Sequence, residues 1–166
     1  MTIRLATSQF STTGDFRVNE ARMCVQIADA HAAGAAIVHF AEACLSGYAG
    51  HDLPHDHEYD WPALRASAMR IAHAAASANV WVVFGSAHPL SPGLKPHNSL
   101  YIVSNTGELI DRYDKRFCAG DALQTTGDLA HYTPGNRFCS FELHGVRLGT
   151  LICHEYRYPE LYREHA

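Results

Sequence analysis

Three side chains of this 166-residue sequence have the types that nucleophilic chemistry needs: a thiol at Cys153, a carboxylate at Glu42 and an ammonium at Lys115. Cys153 closes the apolar run 146–152 and is followed at once by polar His154, Glu155, Tyr156 and Arg157. The carboxyl end of a strand is where α/β folds place their chemistry, so a thiol there is a candidate nucleophile. Glu42 also follows a short apolar run, 36–40, and precedes the turn-like Leu45-Ser46-Gly47-Tyr48. In apolar surroundings the ionised form of a carboxylate is disfavoured, which equips it to take a thiol proton near neutrality. Lys115 ends the strand-like run 109–114 and begins a long loop, where an ammonium could hold an oxyanion. Each residue alone has a plainer explanation, because cysteine commonly fills cores while glutamate and lysine are mostly solvated. Cys24, Cys44, Cys118 and Cys139 keep that plainer reading.

A scaffold for these positions follows from hydrophobic periodicity. Residues 3–10 alternate apolar and polar as a half-buried strand does, and Asp15 then offers an N-cap to a helix with Ala21, Cys24, Val25, Ala28 and Ala32 on one face. Gly34 stops that helix, and the nearly all-apolar run 36–40 suits a sheet buried on both faces. A second helical pattern aligns Leu64, Ala68, Ile71, Ala72 and Ala75, and a buried strand follows at 80–84. Beyond Gly85, residues 100–104 and 109–113 flank Asn105-Thr106-Gly107, while 138–143 and 146–153 flank His144-Gly145, which predicts two hairpins. The last of these segments, 146–153, reads as a central strand. Residues 116–134 have no clear period and are rich in Gly, Thr and Asp, as a long surface loop near function would be. The expected architecture is a mixed sheet with helices on one face, in one domain without repeats or linkers.

Composition narrows the classes of partner. With 47% apolar and 18% charged residues the chain has an ordinary globular make-up. A formal charge of −4, from 13 basic and 17 acidic side chains with no basic cluster, argues against gripping nucleic acid or anionic lipid. No apolar run approaches the roughly 20 residues of a membrane span, and the first residues open into a strand-like segment rather than a signal peptide. A cytoplasmic protein is expected, with no nucleic-acid or membrane partner. Its five cysteines show no paired close spacing and are expected to be free thiols in a reducing compartment. The twelve histidines are unusual, and His51, Asp52, His55, Asp56, His57, Glu58 and Asp60 crowd one stretch. Imidazoles and carboxylates of this kind can hold zinc. Pro54, however, spoils the placement of His51 and His55 on one helical face, and no other histidine or cysteine has ligand spacing. A solvated loop without metal is the expectation.

The segments carrying Glu42, Lys115 and Cys153 together resemble the carbon-nitrogen hydrolase, or nitrilase, superfamily, whose members use a Glu-Lys-Cys triad in that chain order. His39-Phe40-Ala41-Glu42-Ala43-Cys44-Leu45-Ser46-Gly47-Tyr48 is similar to the family's Pro-Glu followed by a Ser/Thr-Gly-Tyr turn, with Ala41 in place of proline. The lysine segment is Tyr113-Asp114-Lys115-Arg116. The most specific signal is at the cysteine, which the family follows with an acidic residue two positions on and then Arg-Phe/Tyr-Pro-Glu; Glu155, Arg157, Tyr158, Pro159 and Glu160 answer to it. Ile3-Arg4-Leu5-Ala6 with Gln9, and Tyr132-Thr133-Pro134-Gly135, also look like family landmarks. Many members carry a second carboxylate upstream of that Pro-Gly, near the lysine. Asp128 sits at the matching place, shorter than the usual glutamate.

The resemblance implies an α/β fold of the αββα four-layer sandwich type. Family members continue well beyond the Arg-Tyr-Pro-Glu segment, so the expectation for 1–166 is a carbon-nitrogen hydrolase domain incomplete at its C-terminus. It further implies that Glu42 deprotonates Cys153, whose thiolate attacks an amide, N-carbamoyl or, less readily, nitrile carbon of a small molecule. A thiol ester forms as ammonia or amine leaves. Lys115 and the backbone N–H of His154 would hold the tetrahedral anion, with no metal or organic cofactor. A thiolate beside a lysine is expected to have a depressed pKa. Tyr48, His131 and Tyr156 are candidates for the pocket lining by their nearness to the motifs, and homo-oligomers are expected by resemblance. The rival expectation is a truncated, catalytically silent relative serving as an interaction module or without function.

Overall fold

A computed structural model describes residues 2–54 and 58–165. Three parallel strands, β1 (Leu5–Thr7), β2 (Ile37–His39) and β3 (Trp81–His88), are joined through α1 (Phe16–Ala32) and α2 (Trp61–Ala78). Two antiparallel strands, β4 (His97–Val103) and β5 (Leu109–Asp114), extend the sheet in the order β1-β2-β3-β4-β5. Alternate residues of each strand serve opposite faces, as the twofold pleat requires. Val38, Val82, Phe84 and Val103 meet Met23, Ile27, Leu64, Ile71 and Ala75 of the two helices. On the other face Ile37, Val83, Leu100, Ile102 and Tyr113 meet Phe141, Leu143 and Ile152, brought by the hairpin of β6 (Ser140–Leu143) and β7 (Val146–Gly149). The layers therefore run helices, five-stranded sheet, second sheet.

Local signals explain the helix limits. Asp15 caps α1 by accepting the Arg17 N–H at 2.9 Å, and Asp60 caps α2 by accepting the Ala63 N–H at 3.1 Å. Asn79, in the left-handed region at φ 53°, ends α2. The buried face of α1 is not the expected one. Asn19, Met23, Ile27 and Ala30 turn inward, while Ala21, Val25, Ala28 and Ala32 are exposed and Cys24 is half-buried. Both stripes have helical spacing, but Met23 and Ile27 remove far more apolar surface from water than alanines can. Asn19 is admitted because its amide donates to the carbonyls of Thr13 and Leu45, at 2.7 and 3.1 Å. For α2 the expected face holds: Leu64, Ile71 and Ala75 are buried with Ala68 and Ala72 beside them.

Two further expectations change. The segment read as a central strand ends at Gly149; β7 is a short member of a two-stranded sheet, and Cys153 opens a 3-10 turn, Cys153–Arg157, instead of closing a strand. Its ladder stops because the Ile152 N–H is taken by the Glu155 carboxylate, at 2.7 Å. The long loop 116–134 contains a helical turn, α3 (Gly127–His131), which carries Asp128 into the interior. A last short helix, α4 (Pro159–His165), follows the 3-10 turn. Among the described residues no helix is long and apolar enough to cross a membrane.

Candidate active site

The Glu42 segment lies directly across β3. Phe40 N–H donates to Val83 at 2.9 Å and Leu45 N–H to Gly85 at 3.0 Å, so both ends of the segment are pinned to that strand. Gly85 makes the approach possible. A Cβ there would stand 2.6 Å from the Ala41 carbonyl oxygen and 2.8 Å from the Glu42 carbonyl carbon, closer than carbon can come to backbone. Lys115 is held in the same way from the far side of β4. Its N–H donates to Asn98 and its carbonyl accepts from Gly135, both at 2.8 Å. Gly135 must lack a side chain because a Cβ would fall 2.7 Å from that of Asp114. The Pro134-Gly135 landmark thus has a packing cause.

These supports bring an ion cluster together. Lys115, 2% exposed, places Nζ 2.6 Å from Glu42 Oε1 and 2.7 Å from Asp128 Oδ2. Asp128 also accepts from the Tyr48 hydroxyl at 2.5 Å and the Ala119 N–H at 2.8 Å, so α3 gives the shorter side chain the reach it needs. Glu42 is not in apolar surroundings, as its place after a buried strand suggested. Its Oε1 accepts from Lys115 and, at 2.7 Å, from the Asn98 amide. Burial by itself lowers the Lys115 pKa, but the charges and hydrogen bonds of Glu42 and Asp128 outweigh it and hold the ammonium above its ordinary value. Burial pushes the Asp128 carboxyl up, and Lys115 and Tyr48 more than reverse this, leaving it below the usual value. Tyr48 is driven upward by burial and by Asp128.

Cys153 is exposed, in the left-handed region at φ 45°, with the Glu42 carboxylate close enough to act on its thiol. Its thiol is raised, contrary to the depression expected beside a lysine. Partial burial is the largest cause and the Glu42 charge and hydrogen bond come next; Lys115 and the His154 backbone N–H offset them only in part. Burial disfavours the thiolate, and the Glu42 carboxylate beside it adds to that, so the single ammonium does not reverse the direction. The neutral form of the Cys153 thiol is therefore favoured beside the Glu42 carboxylate.

Glu155 carries a structural task that the sequence did not reveal. Fully buried, its Oε1 accepts from the Tyr113 hydroxyl at 2.6 Å and from the N–H groups of Arg116 and Phe117 at 2.9 and 3.1 Å. Its Oε2 takes Ile152. One carboxylate thus ties the backbone just after Lys115 to the backbone just before Cys153. Asn98 was also missed, because it lies in the polar start of β4, His97-Asn98-Ser99, ahead of the expected strand 100–104. His154 turns its ring to the Tyr158 hydroxyl, at 2.9 Å, and offers the site only its backbone. Tyr156 is 67% exposed and does not join the cluster, because the 3-10 turn points it outward. His131, on α3, lies edge-on to Tyr132 and against Gly50. In the histidine-rich stretch Asp52 accepts from the Tyr48 N–H and Asp60 caps α2, both ordinary turn and cap roles. His55, Asp56 and His57 lie outside the described residues. Among the described residues no group of three or more His, Cys, Asp or Glu side chains is placed to hold a metal ion.

Residues 4–166 match the sequence model of the carbon-nitrogen hydrolase family. The chain belongs to the carbon-nitrogen hydrolases. Its fold is similar to that of a cysteine-to-alanine mutant of an amidase from Nesterenkonia AN1, of the nitrilase superfamily, with a TM-score of 0.84 and 20% identity over 98% of this chain and 60% of that one. It also resembles the glutamine-dependent NAD+ synthetase of Acinetobacter baumannii, with a TM-score of 0.76 and 20% identity over 98% of this chain and 30% of that one. In sequence it is 31% identical over 70 residues to the 2-oxoglutaramate amidase of Bacillus subtilis, covering 42% of this chain and 26% of that protein. The architecture is the mixed α/β fold of the nitrilase superfamily, and the chain spans about 60% of the length of the Nesterenkonia amidase.

The thiols of this carbon-nitrogen hydrolase are sharply ranked. Burial pushes Cys44 up to about 12, Cys118 to about 12 and Cys139 to about 11, and it raises half-buried Cys24 as well. At pH 8, iodoacetamide is expected to modify Cys153 while Cys44 and Cys139 stay unmodified until the chain unfolds. Peptide mass spectrometry checks this, and equal labelling of Cys44 and Cys153 in folded protein contradicts it.

Proposed function

We propose that this chain carries the apparatus of a thiol-dependent hydrolase of non-peptide C–N bonds, with amides and N-carbamoyl compounds ahead of nitriles. The observation that carries the reading is the Glu42 carboxylate, which accepts from Lys115 at 2.6 Å and from the Asn98 amide at 2.7 Å and also acts on the exposed Cys153 thiol. Glu42 accepts the thiol proton as sulfur attacks the carbonyl carbon, so the raised thiol need not ionise beforehand. The oxyanion that forms is stabilised by the Lys115 ammonium and the His154 N–H. The C–N bond breaks, Glu42 returns the proton to the leaving nitrogen, and a Cys153 thiol ester remains. Water then attacks that ester with Glu42 as base, the C–S bond breaks, the acid leaves and the thiol is restored. Asp128 keeps Lys115 charged and in place. The mechanism draws on protein groups alone. Support comes from the Nesterenkonia amidase, one mutant of which shows covalent addition of the acetamide moiety of fluoroacetamide at its active-site cysteine.

Ammonia release from a panel of small amides, N-carbamoyl compounds and nitriles tests the reading, with the Cys153→Ala chain as control and circular dichroism to show that both fold. Release by wild type that the variant lacks is the expected result. A folded wild type that releases none overturns it and selects the alternative of a catalytically silent relative. The exposure of Cys153, in a chain spanning about 60% of the Nesterenkonia amidase, is the observation on that side.

A further inference from the structure

Asn98 touches both charged partners of the cluster through different atoms. Its backbone carbonyl accepts the Lys115 N–H at 2.8 Å, and its side-chain amide donates to Glu42 Oε1 at 2.7 Å. It is 1% exposed, in β4 opposite Ala87 of β3, so the amide has no room to wander. Its own Oδ1 is buried without a hydrogen-bond partner. Folded proteins seldom leave a buried acceptor unmatched unless the arrangement serves another end. Turning the amide over would not help, because it would set Oδ1 against the Glu42 carboxylate, acceptor against acceptor.

The Glu42 carboxylate has two oxygens, and both nitrogen donors, Asn98 Nδ2 and Lys115 Nζ, go to Oε1. Two donors occupy the lone pairs of that oxygen, so a proton can be accepted readily only at Oε2. We propose that Asn98 is the positioning residue that decides which oxygen of Glu42 is the base: with Lys115 it fills Oε1 and leaves Oε2 to take the Cys153 proton. The proposal rests on the reading of Glu42 and Cys153 given above. In the first step the S–H bond breaks and an O–H bond forms at Oε2; in the collapse that O–H bond breaks and the proton passes to the departing nitrogen. Asn98 is suited to this because it donates without charge and does not compete with Lys115 for the oxyanion. Its bond to the Lys115 backbone survives any side-chain replacement, so substitutions isolate the effect on Glu42.

The titratable groups facing Glu42 are Lys115, Cys153, Tyr48 and Cys118, with Asp128 on the far side of the shared Lys115 ammonium. The first four are raised and Asp128 is lowered, so wild type and variants are compared at one pH, pH 8. Asn98→Leu removes the donor, and Asn98→Asp keeps the shape but replaces the donor with an acceptor. With butyramide as probe and ammonia release as readout, Asn98→Leu is expected to lower kcat about tenfold to a hundredfold, a share of what a positioned base supplies. KM should stay within about twofold, since the lost donor touches Glu42 and not the substrate. Asn98→Asp is expected to be the worse variant at pH 8.

A space-filling role predicts the reverse order, with the isosteric Asp variant active and Leu impaired, and that order overturns the proposal. So does a folded Asn98→Leu chain with wild-type kcat. A wild type that releases no ammonia from butyramide or the wider panel removes the hydrolase reading and this proposal together. An active wild type with indifferent Asn98 variants removes the proposal alone.

Discussion

A Lys115→Met chain is expected to lose about 3–5 kcal/mol of stability, the usual consequence of taking one partner from a buried ion pair, and to lose ammonia release as well. Lys115 and Asp128 are 2% and 1% exposed, so no water replaces the missing ammonium beside the Asp128 carboxylate. Methionine fills the volume of the lysine stem and leaves Glu42 and Asp128 as unpaired neighbours. Urea unfolding followed by circular dichroism measures the loss, and pH dependence identifies its cause. In wild type the Asp128 pKa is lowered, so its contribution is present above the unfolded value of 3.8 and lost as pH falls through the lower folded value. Lys115, being raised, contributes fully below its unfolded value of 10.5 and loses that contribution as pH rises through the folded value. Without the ammonium, burial dominates at Asp128 and favours its neutral form. Acidification from about pH 7 to about pH 5 should therefore stabilise the variant while wild type gains nothing. Adding Asp128→Asn should recover most of the stability and none of the activity, because the buried charge is gone but the oxyanion partner is still missing. A Lys115→Met chain with wild-type stability and pH dependence contradicts the ion-pair account.

Glu155→Gln is the second substitution with a large expected effect, and it acts at a distance from the reacting atoms. The carboxylate accepts four hydrogen bonds, three at Oε1 and one at Oε2, in a site with no exposure. An amide offers one acceptor oxygen and one NH2 group. With its oxygen toward Tyr113, Arg116 and Phe117, the NH2 faces the Ile152 N–H, donor against donor, one residue before Cys153. Each hydrogen bond to a charged group contributes roughly 1.5–3 kcal/mol, so the exchange should cost about 3 kcal/mol. For a chain of this size that is a fall in Tm of about 6–12 °C. The 3-10 turn carrying Cys153 loses its anchor at the same time, and iodoacetamide labelling of Cys153 should change while Cys24 keeps its rate. Glu155→Leu leaves all four donors unmatched and should not fold at 37 °C. A Glu155→Gln chain with wild-type Tm and wild-type Cys153 labelling would falsify the anchoring role.

Much of this was legible because it is local. Asp15 and Asp60 signal helix starts through their own side chains, and Asn105-Thr106-Gly107 turns a hairpin whatever the rest of the chain does. The short segments around Glu42, Lys115 and Cys153 could be recognised for a similar reason. Each includes a turn, after a strand for Glu42 and Lys115 and as a 3-10 turn for Cys153, and such geometry restricts residue type over a few consecutive positions. The inward stripe of α1 could not be read in this way, because two stripes had the same period and only the partner surface of Leu64, Ile71 and β3 chose the one with larger side chains.

The site depended still more on tertiary structure. Asn98 and Glu42 are 56 residues apart, and Lys115 and Glu42 are 73 apart. No periodicity or composition joins such pairs. The direction of the Cys153 shift went the same way. From the sequence a lysine was expected beside the thiol; only the fold showed that burial and the Glu42 carboxylate outweigh its charge. By itself the sequence determined the order of elements, the caps and turns, and three segments of chemical interest, since these follow from the conformational preferences of neighbouring residues. Only the tertiary structure decided which oxygen meets which donor and which charges balance, because electrostatics and hydrogen bonding act through space and depend on distances that the chain order does not contain.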